Sequence, residues 1–284
     1  MEKISNEELQ RQAMAAAAGD RDALCAAVEN VRDMVFNLSL RMLGGFEDAE
    51  DASQEILMKM VSGISGFRGE SAFATWVFAI ARNHLVNYRR HMFAKLPPLT
   101  FEYYGSDIKN ADIESVPDLT GDTERHILAE ELKMSCTNVM LQCLDPESRC
   151  IFILGTMFRA DSRVAGEILG ITPEAYRSRL SRVRRKMADF LAEYCGEYGN
   201  GQCRCADRIN YAIQNHRISP EHRDFTAARE IRPETMVSVK RAMEDIDGIS
   251  QEFSFCRAYQ SPERLREFIM NFLSGAEIET VRKG

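Results

Sequence analysis

Three groups of side chains in this chain have the types and spacing to bind or react. The first is a helix-like stretch from Phe73 to Arg90. Plotted at about 100° per residue, it puts Phe73, Val77, Ile80, Ala81, Leu85 and Tyr88 on one arc. Arg82, Asn83, Asn87, Arg89 and Arg90 take the opposite arc, with the single tryptophan, Trp76, at the border. One face suits a core; the other offers cations and amides to an anion, or simply to water. The loop before it, SGISGFRGES, is punctuated by Gly63, Gly66 and Gly69. Its Phe67 could stack on an unpaired base while Arg68 holds phosphate; the alternative is a plain connection with Phe67 buried.

The second group lies in VAGEILGITPEAYRSRLSRVRRKM, Val164 to Met187. A short helix ends at Gly170, Thr172 caps the next, and Pro173 takes its first position. In that second helix Tyr176, Leu180, Val183, Met187 and Phe190 form a narrow apolar stripe. Arg177, Arg179, Arg182, Arg184, Arg185 and Lys186 occupy the other directions. This is the pattern of a helix-turn-helix whose second helix enters the major groove, or of a basic coiled-coil-like surface. The third group is Cys195, Cys203 and Cys205, gathered in a Gly-rich segment, with Cys256 as a remote fourth thiol and His216 and His222 nearby in sequence. Thiolates in a loop suit zinc as a structural staple; a regulatory metal, a redox switch and unligated thiols remain open. Cys136, Cys143 and Cys150 recur at sevens and read as small core residues.

The elements that must position these groups are helices. Helix formers dominate and alternating β-branched runs are scarce, so the chain is expected to be all-α. Helices broken at Gly19-Asp20 and Gly44-Gly45 fill Ser5 to Gly63. In the last of them Asp48, Asp51, Gln54 and Glu55 share a polar face, either solvated or a dock for a basic partner. Residues 96–124 hold seven acids and one lysine without a sustained apolar period, and read as a linker. Helices are expected again over Arg208–Arg217, Pro233–Asp245 and Pro262–Leu273. The net charge is −7, yet residues 62–95 carry five Lys and Arg against one acid. Basic patches set in an acidic protein are compatible with a DNA contact. No apolar run reaches membrane length and no signal peptide opens the chain, so a cytoplasmic location with reduced cysteines is expected. No Ser/His/Asp, paired-carboxylate or phosphate-loop constellation is present, and an enzyme is not expected.

With these residues in order, the chain resembles a sigma factor of the sigma-70 family, in the small extracytoplasmic-function (ECF) class. DAEDASQEILMKM resembles the part of region 2 that docks on RNA polymerase, and FRGESAFATWVFAIARNHLVNYRR the part that captures the melted −10 element. VAGEILGITPEAYRSRLSRVRRKM resembles the region 4 helix-turn-helix that reads the −35 element. The resemblance implies region 2 over 1–95, an acidic linker over 96–124, region 4 over 125–192, and a cysteine-containing C-terminal extension over 193–284.

It makes Asp48, Asp51, Gln54 and Glu55 polymerase contacts. Phe67, Arg68, Arg82, Asn83, Asn87 and Arg90 become contacts to the −10 strand. Arg177, Arg179, Arg182, Arg184 and Arg185 become contacts to the −35 duplex. The implied partners are core RNA polymerase through its β′ and β subunits, duplex −35 and single-stranded −10 promoter DNA, and an anti-sigma factor. The implied function is promoter recognition, melting and initiation, gated by a metal-binding extension through Cys195, Cys203, Cys205 and Cys256. The alternatives are a metal-responsive DNA-binding regulator that acts without core polymerase, and a sigma-like protein that occupies polymerase without initiating. Two departures stand out: His84 on the apolar arc, expected to be a packed core histidine, and RADSRVAGE, with Arg159 and Arg163 before the turn helix.

Overall fold

The computed structural model describes residues 5–92, 99–228, 230–231 and 258–275. Helix α1 (Asn6–Ala17) starts where the Ser5 side chain accepts from the Glu8 amide at 3.1 Å. Asp20 does the same for α2 (Arg21–Leu43) through the Ala23 amide at 3.0 Å. Capping of this kind satisfies an amide that has no partner inside the helix. α2 stops at Gly44, left-handed at φ 94°, whose N–H reaches the Leu40 carbonyl. α3 (Phe46–Gly63) and α4 (Phe73–Met92) complete a bundle in which α2 is the central helix, buried along much of its length.

α6 (Arg125–Gln142), α7 (Pro146–Phe152), α8 (Ser162–Leu169) and α9 (Pro173–Tyr194) form the second block. After α7 the backbone widens into a π-helical turn over Ile153–Met157. Thr172 caps α9 through the Ala175 amide at 3.2 Å. At Gly166 the helix-turn-helix closes tightly: a Cβ there would sit 2.7 Å from the Ile171 carbonyl oxygen.

The two blocks share one core. α4 packs on α7 and α8, and Phe78 meets Phe158 edge-on at 4.9 Å. Arg149, 1% exposed, reaches across the seam. Its guanidinium donates to the carbonyls of Leu141 (2.7 Å), Gln142 (3.2 Å) and Leu144 (2.8 Å) at the end of α6, and to that of Met42 at the end of α2. Carbonyls at a helix C-terminus lack helical partners and carry the negative end of the dipole, so a cation between two such ends is well placed.

The all-α expectation holds, apart from a two-residue antiparallel pair, β1 (Glu230–Ile231) with β2 (Ala258–Tyr259), and an isolated bridge between Cys195 and Cys203. The segment read as a linker is partly helical. α5 (Phe101–Asn110) buries Phe101, Tyr104 and Ile108 at i, i+3 and i+7. That short stripe was hidden among acids and prolines. Phe101 and Tyr104 pack on Phe190 of α9, at 5.1 and 5.5 Å between ring centroids. Burial alone would raise the Asp107 carboxyl; hydrogen bonds from Arg217 (2.7 Å) and Tyr211 (2.9 Å) hold it below its ordinary value.

In the extension, the helix expected over 208–217 is the shorter α10 (Ile209–Gln214), entered by a 3-10 turn over Cys205–Arg208. A one-turn α11 (Asp224–Ala227) follows. The final helix is α12 (Glu263–Ser274), and the helix expected over 233–245 lies outside the described residues. α12 returns to the first bundle, where Leu265, Ile269 and Leu273 are buried and Arg264 pairs with Glu50 of α3 at 2.9 Å. β2 is held there too. Asn37 exchanges two hydrogen bonds with the Tyr259 backbone, at 2.7 and 2.8 Å, and Asp33 accepts from Ser261.

Candidate nucleic-acid interface

The acidic face assembles on α3. Asp48, Asp51 and Glu55 run along one stripe, close enough to Tyr88 of α4 that, after burial, all three raise its phenol. Asp48 itself is raised, first by burial and then by Asp51 and Glu47. Asp51 and Glu55 are exposed, while Gln54 is half-buried and lies round the helix from the stripe. On the far side Glu50 is already paired with Arg264, a partner over two hundred residues away that no local pattern could reveal.

His84 is half-buried, as expected of a packed histidine. Lys59 lies 2.6 Å from its Nδ1 and Glu55 3.7 Å from its Nε2. Burial and then Lys59 lower its pKa, against Glu55. A neutral ring accepting from the Lys59 ammonium fits all three observations.

The basic arc of α4 is only partly open. Asn83 and Asn87 are exposed, Asn87 donating to the Asn83 carbonyl at 2.9 Å. Arg82 is half-buried and bonds Asn83 at 2.9 Å. It follows Ala74 and Phe78 along the stripe that α7 and α8 cover. The helix therefore has two buried faces, and the sequence showed one, because Phe78 finds its partner only across the seam at Phe158. The side chain of Arg90 lies outside the described residues.

Arg68 is exposed, but the expectation for Phe67 is corrected. The ring is 4% exposed and packs 5.3 Å from Phe73 and 5.4 Å from Trp76, so in this conformation it offers no face to a base. The loop ring of Phe67 joins Phe73 and Trp76 of the first turn of α4 in one cluster, and a ring packed on two others is not a free platform.

On α9, Tyr176, Val183, Met187, Phe190 and Leu191 are buried. Glu174, Arg177, Ser178, Ser181, Arg182 and Arg185 share the opposite, exposed arc. Arg177 is steadied by Ser162 (2.8 Å) and Glu174 (3.1 Å), and Arg179 stands 3.9 Å from Glu147. Arg184 departs from the expectation. It is half-buried and donates to the Gly155 carbonyl at 3.0 Å and to the Thr156 hydroxyl at 3.4 Å, which ties α9 to the π-helical turn. Four arginines of the expected five are therefore exposed.

Comparison with known proteins gives the family of the chain. Residues 27–92 match the sigma-70 region 2 family. The chain is 32% identical over 142 residues to the ECF RNA polymerase sigma-E factor of Haemophilus influenzae, covering 45% of this chain and 75% of that protein. The chain belongs to the sigma-70 family, in its ECF class. It is also 27% identical over 180 residues to the ECF RNA polymerase sigma factor SigW of Bacillus subtilis, covering 62% of this chain and 92% of that one. With SigE of Mycolicibacterium smegmatis it shares 26% over 185 residues, 64% of this chain and 67% of that protein.

Of the expected metal ligands in this sigma factor, Cys195, Cys203 and Cys205 come together in one fold-back, whereas Cys256 lies outside the described residues. His216, left-handed at φ 54°, and His222 are exposed. Among the described residues no group of three or more His, Cys, Asp or Glu is arranged to hold an ion. No described helix is long and apolar enough to cross a membrane.

Proposed function

We propose that this sigma factor binds core RNA polymerase through the Asp48, Asp51 and Glu55 stripe and directs promoter recognition and initiation. The exposed arc of α9 reads the −35 duplex. Asn83, Asn87 and Arg68, with Arg82 once it is uncovered, hold the separated −10 strand. The observation that carries the reading is the pairing, in one chain of this family, of an acidic stripe on α3 with exposed arginines on a capped helix-turn-helix. Neither surface brings chemistry of its own; melting follows from binding the opened strand, which recovers part of the cost of unstacking.

A second element of the proposal concerns conformation. The −10 and −35 elements lie about 25 base pairs apart, or ~85 Å along B-DNA, whereas here α4 packs directly on α7 and α8. The described arrangement is thus a closed form, and promoter binding separates the blocks at the Phe78–Phe158 and Arg149 seam. The extension favours the closed form because it holds α2 and α3 through β2 and α12 and holds α5 and α6 through α10. In this reading it does within the chain what an anti-sigma factor does from outside.

Run-off transcription with purified core polymerase on promoter fragments tests the function. A start-site-specific product that depends on added protein is expected. DNA binding without such a product would favour a regulator that works without polymerase.

A further inference from the structure

His84 stands on α4 among Ala81, Leu85 and Tyr88, where the arc is otherwise apolar or aromatic. Its side chain is 8% exposed and lies against α3. Both ring nitrogens face charges on that helix. The Lys59 ammonium is 2.6 Å from Nδ1, and a Glu55 carboxylate oxygen is 3.7 Å from Nε2. Lys59 and Glu55, four residues apart on α3, are 3.9 Å from each other. At its present distance from Glu55, Nε2 is buried without a hydrogen-bond partner. From α4 itself the ring meets Tyr88, 5.5 Å between centroids. Among the described residues, Lys59 and Glu55 are the charged groups that act on the imidazole.

The ring can serve only one of these two groups well. A neutral imidazole accepts from Lys59 at Nδ1 and leaves its Nε2 N–H short of Glu55. A second proton would sit on Nδ1, facing an ammonium, and that contact must then open. Lys59 is 54% exposed and has solvent to swing into. Glu55 responds the other way, because its carboxylate can close on Nε2 as a charged hydrogen bond. It exchanges an exposed partner, screened by water, for one fixed between two helices and screened less.

We infer that His84 is a positioning residue for the acidic docking stripe: neutral, it holds Lys59 and leaves Glu55 facing outward; protonated, it draws Glu55 in against α4 and weakens docking to a basic partner. The inference rests on the reading of Asp48, Asp51 and Glu55 as the polymerase-docking stripe. Asp51 is exposed one turn away and is not among the groups acting on the ring, so docking is weakened and not abolished.

The test is equilibrium binding of the full-length chain to purified core polymerase between about pH 7.5 and 5.5. The unmodified chain should lose about threefold or more in affinity across that range. His84→Gln should lose most of that fall, and comparing the two chains cancels any titration of the polymerase. Lys59→Met should move the fall to higher pH, because the ammonium that opposes protonation of His84 is gone. That variant keeps the answer available if His84→Gln folds poorly. An equal fall in the unmodified and His84→Gln chains, or a midpoint that Lys59→Met leaves in place, would overturn the inference. Glu55→Gln separates it from the docking reading: weaker binding at the upper pH and loss of the fall are expected together. Glu55→Gln binding core as tightly as the unmodified chain would sink the docking role of Glu55 and the inference with it. Weaker binding with the fall intact would sink the role of His84 alone.

Discussion

At the scale of single residues, Arg149 and His84 show how burial changes what a charge does. Arg149 donates to carbonyls at the ends of two helices. Replacing it with methionine keeps much of the volume and strands those acceptors. Losing charged hydrogen bonds at a buried site costs about 3 kcal/mol or more. Urea unfolding of Arg149→Met should therefore show a loss of that order, and a loss under ~1 kcal/mol would mean the seam does not depend on this side chain. For His84 the sign follows from its lowered pKa. The unfolded chain takes up the proton first, near pH 6.5, so stability falls as pH drops from there towards the folded pKa and levels off below it. His84→Gln should flatten that part of the stability profile between pH 7.5 and 5. An unchanged slope would assign the titration to another group.

At the scale of elements, α9 separates exposed arginines, proposed above to read DNA, from Arg184, which holds the second block together. Arg177→Ala and Arg182→Ala should each weaken −35 binding and lower the salt slope of log K by about one unit. Arg184→Ala should instead lower the thermal stability of the second block and leave that slope nearly unchanged, because its guanidinium is bonded to Gly155 and Thr156. Equal slopes for the three variants would erase the distinction. The capped start of α9 and the breaks at Gly19-Asp20 and Gly44-Gly45 were legible in sequence, since caps and stops depend on neighbours within four residues. The apolar stripe of α9 was legible for the same reason. α5 was not, because its Phe101, Tyr104 and Ile108 stripe is too short to stand out among acids. The second buried face of α4 was hidden too. Phe78 reads locally as an ordinary core residue, and its partner, Phe158, comes from a distant part of the chain.

At the scale of the whole molecule, α2 and α3 at one end of the chain and β2 and α12 at the other form a single packed unit, with the second block against it. Fluorophores placed on α3 and α9 should report short distances in the free protein and long ones once core polymerase is added. Distances that stay short in a transcribing complex would refute the closed-to-open transition. Removing residues 258–284 should shift the free protein towards the long-distance population, since Asp33, Asn37 and Glu50 then lose their partners. The Asn37–Tyr259 pairing, 222 positions apart, also carries a meaning in time. A ribosome adding roughly 5–20 residues per second needs about 11–44 s to pass from one to the other. For that interval each newborn chain exposes the side of α2 and α3 that its own tail will later cover. Chaperones, or polymerase itself, have that long to meet this surface before the polypeptide can close over it.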